Sequence, residues 1–508
     1  MKTSSTKYHP SFITIFVSGG YRSPRFPERV NLATRLSEGG VSMRRKAVLM
    51  VLLLAVMCFV AVFAETTDRE ALRMELAKKY ANAKPGERFA IGYITWGLAQ
   101  EYLMICWQAV EQACRQLGLD FIGAVAETDA AWIETTENMI AAGAKAIIYN
   151  CPSAAVMPEL TRICNENRVF MATFFGYTGD FLPGDLGPYW VLDNTPLSDE
   201  QTYFPLMILF EKMKQNGKTK LLHHQASKTV ATVSTVYINL GVFMAWKHYP
   251  EIQVLGHQYG EWTYEGGRKA AQASLAIRRD YEALWGANDS QTMGALRVLE
   301  ENGLKIGPFT ASRDMEYSTA LEILKGNFLC TSGFDIPYFA GRMVPMLYDM
   351  CVGAWYPLPE EIMQAPRLTV YGKLEEIEPL ARAAGIIDHP SFAMVDPGEY
   401  FEKILAEMKK EKPNYPFDFR LMSIAKCKEL GLTYDKHAGA EKFGIRHLGR
   451  FDYYYPVLSP RFGSLEAFRA HVKALHEYFL DFSWADTWEE AEEYAKQFPP
   501  ELKLEPVW

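Results

Sequence analysis

The residues in this 508-residue sequence best suited to holding a small molecule are aromatic rings, amides and isolated carboxylates, scattered over several short segments. The segment Trp96-Gly97-Leu98-Ala99-Gln100-Glu101-Tyr102 mixes ring faces with an amide and a carboxylate. Trp96 and Tyr102 either stack on a ligand ring or pack where a strand meets a helix, because aromatic side chains bury large area wherever they sit. Phe174-Phe175 either stacks a ring or fills an interface, and Trp262 carries the same two options. In Asn288-Asp289-Ser290, Asp289 or Ser290 suits a helix N-cap, with Asp289 favoured, which leaves Asn288 to face a ligand. When ionised, Asp314 only accepts hydrogen bonds, so it serves ligand hydroxyls or pairs with the adjacent Arg313. Groups of this kind bind by stacking and hydrogen bonding.

Catalytic arrangements are scarce. His223-His224 lacks the spacing of a metal site, and neither H-E-x-x-H nor G-x-S-x-G occurs. No glycine-rich dinucleotide fingerprint or phosphate loop is present, which argues against nucleotide cofactors. Glu360-Glu361, Glu375-Glu376 and Glu489-Glu490 lie in charged helical segments and read as solvated faces. The expectation is a binding protein that is not an enzyme, with no catalytic residue, metal or cofactor.

The elements that must position these residues alternate. Predicted strands at 89–95, 119–126, 146–149 and 169–175 are separated by amphipathic helices at 102–117, 132–142 and 156–167. A Gly- and Pro-rich loop, Gly176 to Pro188, precedes a second series. Its helices fall at 200–215, 230–248, 266–279, 290–302, 319–325 and 338–351, and its strands at 220–224, 252–259, 283–286, 308–311 and 328–332. Such alternation predicts an α/β fold of two doubly wound, parallel-sheet lobes built by right-handed crossovers and joined by a hinge. Ligands of open parallel sheets bind beyond the carboxyl ends of the strands, where all the candidates above fall. From Pro357 the rhythm stops, and 358–508 reads as a mainly helical C-terminal extension with helices near 398–410, 464–479 and 487–498 and an aromatic run at 452–455.

A net charge of −8 with no basic block argues against a nucleic-acid partner. Met43-Arg44-Arg45-Lys46, an apolar run from Ala47 to Phe63, and Val62 and Ala64 together form an export signal cleaved after Ala64, with a membrane anchor as the alternative. Residues 1–42 precede that signal and are expected to be a non-native upstream extension, with Met43 as the true start. Of eight cysteines, Cys58 lies in the signal. The remaining seven show no C-x-x-C spacing and read as small buried hydrophobes.

In order and spacing the sequence resembles the periplasmic sugar-binding proteins of ABC transporters, the ribose- and galactose-binding type. The likeness covers roughly residues 88 to 357. It is carried by Ile91-Gly92-Tyr93, the helix end Gln116-Leu117-Gly118, Ala144 to Asn150 with Pro152, Trp285 to Leu296 and Ala320 to Gly326. The resemblance implies the type I periplasmic binding protein fold, with lobe one at 88–194 plus 334–357 and lobe two at 195–333. It implies a periplasmic, monomeric protein that delivers a small ligand to an ABC permease in the inner membrane. A ligand sensor feeding a membrane receptor is the alternative, and an exported enzyme ranks third. By position it implies ligand contacts from Gln100, Tyr102, Trp262, Asn288 and Asp314. Phe174-Phe175 stands where many sugar binders carry Asp-Arg, and Ile238 or Asn239 where they carry Arg. These departures favour a flatter or less polar ligand, such as a modified sugar or a nucleoside.

Overall fold

The computed structural model describes residues 68–504 except 179, 196–197, 359–362, 365–368, 399–405, 408–409, 411, 436–437 and 439–461. The predicted export signal, residues 1–42, most of the helix predicted at 398–410 and the aromatic run at 452–455 lie outside the described residues.

After helix α1 (residues 68–80), the first alternating series is β1 (Ala90–Thr95), α2 (Glu101–Leu117), β2 (Asp120–Val125), α3 (Asp129–Ala141), β3 (Ala144–Asn150), α4 (Met157–Asn167), β4 (Phe170–Phe174) and β5 (Trp190–Asn194). The second is α5 (Ser198–Gln215), β6 (Lys220–Gln225), α6 (Thr232–Trp246), β7 (Gln253–Tyr259), α7 (Tyr264–Ile277), β8 (Ala283–Gly286), α8 (Asp289–Glu301), β9 (Thr310–Asp314), α9 (Tyr317–Lys325) and β10 (Cys330–Gly333). Then follow α10 (Ile336–Gly341), α11 (Met343–Cys351), β11 (Met363–Gln364), β12 (Thr369–Gly372), α12 (Leu374–Ala383), β13 (Met394–Val395), α13 (Ile424–Leu430), α14 (Leu465–Phe479) and α15 (Trp488–Ala495).

Two sheets result. One runs β11-β5-β4-β3-β1-β2 and the other β13-β12-β10-β9-β8-β6-β7. Pairing is parallel throughout except between β10 and β12. In each sheet the chain starts at an inner strand, steps outward, then crosses to the other side. This leaves a topological switch point between β1 and β3, and another between β6 and β8. The inner strands β1, β4 and β8 are buried along their whole length, as crossover helices on both sides require. α10 and α11 return the chain to the first sheet and pack on α2.

Three features depart from expectation. β5, a short buried strand holding Asp193 and Asn194, follows the Gly- and Pro-rich loop and was not assigned from the sequence. The single helix predicted at 338–351 breaks in two at Arg342. Pro345 has no N–H to donate to the carbonyl of Gly341, and its ring crowds that carbonyl. The extension also supplies strands β11, β12 and β13 to both sheets alongside its helices.

The extension explains a helix that is apolar all round. In α6 every residue from Val233 to Trp246 is buried, which no one-sided packing allows. α5 covers one side and α14 another. Asn239 on α6 donates to the Phe479 carbonyl at 2.8 Å, and Arg469 on α14 reaches Asp185 of the first lobe at 2.7 Å. The seven cysteines among the described residues are all free and buried.

Candidate ligand cleft

The carboxyl ends of the two sheets face each other across a narrow cleft, drawn nearly shut around its lining side chains. Trp96, Gln100, Tyr102, Cys151 and Phe175 line it from the first lobe, after β1, β3 and β4. Val230, Ala231, Ser234, Trp262, Arg313 and Asp314 line it from the second, after β6 and β7 and at the end of β9. Six of the eight sequence candidates therefore meet here.

Phe174 and Asn288 do not. Phe174 is still in strand β4, so its side chain points opposite to that of Phe175, into the core, with its ring centroid 5.1 Å from Phe339. Asn288 is fully buried and is itself the N-cap of α8, accepting from Gln291 N–H at 3.0 Å. The cap thus falls one residue before Asp289. The amide of Asn288 also donates to the Trp262 carbonyl at 2.9 Å, so it holds a cleft residue without lining the cleft. Asp289 braces the second lobe, accepting from Ser312, from Glu316 N–H at 2.7 Å and from Thr331 at 2.7 Å.

Five non-glycine cleft residues sit in the left-handed region: Cys151 (φ 58°), Phe175 (59°), Ala231 (50°), Trp262 (63°) and Asp314 (114°). Each such placement costs about 1–3 kcal/mol and persists only where its surroundings fix it. The Phe175 N–H donates to Thr195 at 3.1 Å, and the next N–H, that of Gly176, donates to Asp193 at 2.9 Å. The Trp262 N–H donates to Gln291 at 3.2 Å, and its indole N–H donates to the Val230 carbonyl at 3.0 Å. The strained turns aim side chains into the gap that a regular strand end would direct elsewhere.

One cation and one carboxylate serve the cleft as a pair. Arg313 donates to Asp314 at 3.0 Å and to Ser234 at 2.8 Å, and its guanidinium lies 5.9 Å from the Trp262 ring centroid. Asp314 pairs with Arg313 and also lines the cleft. Burial raises the Asp314 carboxyl above the usual range, with Arg313 opposing. At the cleft, Arg313 Nε is a buried donor without a hydrogen-bond partner. Burial pushes the Cys151 thiol well up, so it is no nucleophile. Among the described residues no group of three or more His, Cys, Asp or Glu is placed to hold a metal ion.

The sequence left Arg313, Ser234, Cys151, Val230 and Ala231 out of the site. In the sequence Arg313 reads only as a neighbour of Asp314, because strand alternation allows one of two successive residues to face a cleft. The φ of 114° at Asp314 breaks that alternation and lets both reach it.

Two parallel-sheet lobes with an aromatic, ion-pair-bearing cleft at their facing carboxyl ends define a two-lobed solute-binding protein of the type I periplasmic binding fold. The profile of the periplasmic binding protein domain matches residues 91–354, just over half of the chain, and the chain belongs to that family. Among solved structures it is similar to a Mycobacterium smegmatis protein in complex with β-D-fucofuranose, at 13% identity and TM-score 0.51, covering 59% of this chain and 98% of that one. It is also similar to the periplasmic binding component of the arabinose ABC transporter from Shewanella sp. ANA-3, bound to α- and β-L-arabinofuranose, at 18% identity, TM-score 0.50, and 59% and 98% coverage. A third similar structure is an ABC transporter solute-binding protein from Actinobacillus succinogenes with bound D-allose, at 18% identity, TM-score 0.51, and 57% and 99% coverage. No curated protein matches the sequence. No helix among the described residues is long and apolar enough to cross a membrane.

Proposed function

We propose that this protein is exported to the periplasm, where as a monomer it captures a small, neutral, ring-shaped polar ligand between its lobes and delivers it to an ABC permease. The ligand class is a sugar, a modified sugar or a nucleoside-like molecule. The lobes of this reading are 88–194 with 334–357, and 195–333. The observation that carries it is the cleft itself: rings of Trp96, Tyr102, Phe175 and Trp262 around the single Arg313–Asp314 pair. Ring faces suit the C–H face of a sugar or the plane of a base. The pair presents a donor and an acceptor side by side, while its charges balance, which disfavours a charged ligand. Closure follows from ligand contacts to both lobes, which stabilise the closed form over the open one.

Mass spectrometry of small molecules released from the purified protein, followed by calorimetry with L-arabinose, D-allose and a nucleoside panel, tests this. A neutral sugar or nucleoside bound at one site per chain is the expected result. Conversion of the bound molecule into a product, or selective binding of a sugar phosphate or sugar acid, would overturn it.

A further inference from the structure

Helices α2 and α9 begin on opposite sides of the cleft, and neither is capped by its own residues. Gln100, the N-cap of α2, and Glu316, the N-cap of α9, make no side-chain cap bond within their own helices. The first N–H groups of a helix have no intrahelical partner and need one from elsewhere. Here each helix receives it from the other lobe. Glu101, the first residue of α2, accepts from Tyr317 N–H at 3.0 Å, from the Ser318 hydroxyl at 2.8 Å and from Ser318 N–H at 3.4 Å, all at the start of α9. Glu316 accepts from Tyr102 N–H at 3.4 Å in the first turn of α2, and its other oxygen accepts from Ser290 at 2.7 Å. The two caps are exchanged.

We propose that Glu101 and Glu316 are positioning residues that form a reciprocal clasp, which holds the lobes shut and sets how fast bound ligand leaves. Opening the cleft strips both helices of their caps in one motion, so the two contacts form and break together. The clasp is tied to the site through the chain. Glu101 lies between the cleft residues Gln100 and Tyr102, and Glu316 lies two residues beyond Asp314. A ligand that sets those neighbours in place sets the clasp.

The clasp also couples closure to protons. The two carboxylates face each other, and the charged groups around them are Asp289 and Asp314, the latter neutralised by Arg313. Burial raises Glu101, and Glu316 is raised by burial first and then by Glu101 and Asp289. Carboxyls whose affinity for protons is higher in the closed form make closing take up protons, so the closed form gains as pH falls.

The clasp rests on the two-lobed reading but needs no identified ligand for its test. Leu98 and Tyr264 are exposed residues near the cleft, one on each lobe, whereas the native thiols among the described residues are buried. Spin labels on a Leu98→Cys/Tyr264→Cys variant of the full chain report the inter-lobe distance by pulsed electron resonance. In the ligand-free protein, Glu101→Ala is expected to raise the open population about tenfold, the usual cost of losing hydrogen bonds to a charged acceptor. Glu101→Gln keeps an acceptor and restores part of the closed population. Raising the pH from 5.5 to 7.5 shifts the unsubstituted Glu101/Glu316 pair toward the open form, and Glu316→Gln reduces that shift. Circular dichroism and thermal melting establish that each variant is folded; where Glu101→Ala is not, Glu101→Gln and the pH series decide. Distance distributions unaltered by Glu101→Gln and by pH would overturn the clasp. Failure of every sugar and nucleoside to bind, with the distances behaving as expected, would overturn the ligand assignment and leave the clasp standing.

Discussion

Arg313 enters the cleft with its charge already balanced, between Ser234 and Asp314, and with Nε left for an incoming acceptor. Asp314→Ala is therefore expected to act twice. It removes a ligand acceptor, weakening binding at least tenfold by calorimetry, and it strands a buried guanidinium, lowering unfolding free energy by about 3 kcal/mol in urea titration. Asn288→Ala is expected to cost about 1 kcal/mol of stability, the loss of a helix cap, and to weaken binding only through the freed Trp262 carbonyl. Asp289 supplies a pH test. Burial lifts its carboxyl to about 8 in the native state, while an unfolded aspartate titrates near ~3.9. A folded-state value above the unfolded one means stability present at low pH and lost as pH rises through the folded value. Asp289→Asn should therefore gain stability relative to the unsubstituted protein as pH rises from about 4 to about 8, measured as parallel urea midpoints. A constant difference across that window would remove Asp289 as the source.

The elements were legible in proportion to how much of their reason is local. α2 closes at Gly118 in the left-handed conformation, where the sequence placed its end. Buried strands β1, β3 and β8 follow apolar runs bounded by helices. The site was legible wherever a residue follows a strand end in parallel-sheet order, which recovered Trp96, Tyr102, Trp262 and Asp314. It was not legible where backbone strain or exchange decides. Phe174 and Phe175 are alike in type, and only the φ of 59° at Phe175 separates the core ring from the cleft ring. The break at Arg342 has a local cause in Pro345. β11 and β13 are two residues each and exist because a sheet edge accepts them. α6 was legible as a helix, but not what covers it, since α14 lies more than two hundred residues away. Phe479→Ala, at the contact where α14 meets Phe243 of α6, should cost about 3–5 kcal/mol by denaturant titration, the usual range for truncating a buried Phe.

For the molecule as a whole, the extension has a different standing from an appended domain. Gln112 and Gln116 of α2 bind backbone between Tyr415 and Phe419, Lys212 of α5 pairs with Glu376, and α14 contacts α6 while tying Arg469 to Asp185. Both lobes are thus packed against the same C-terminal segment. Ending the chain at residue 463 would expose the outer face of α6, and the truncated protein is expected to aggregate, as light scattering on refolding would register. The free, buried cysteines have a consequence at this scale as well. Their sulfur atoms are shielded by packing, so a thiol reagent should leave these seven unmodified in the native protein and label them in guanidinium. Among the described residues no cross-link waits on an electron acceptor, and their packing is indifferent to whether the surroundings oxidise or reduce.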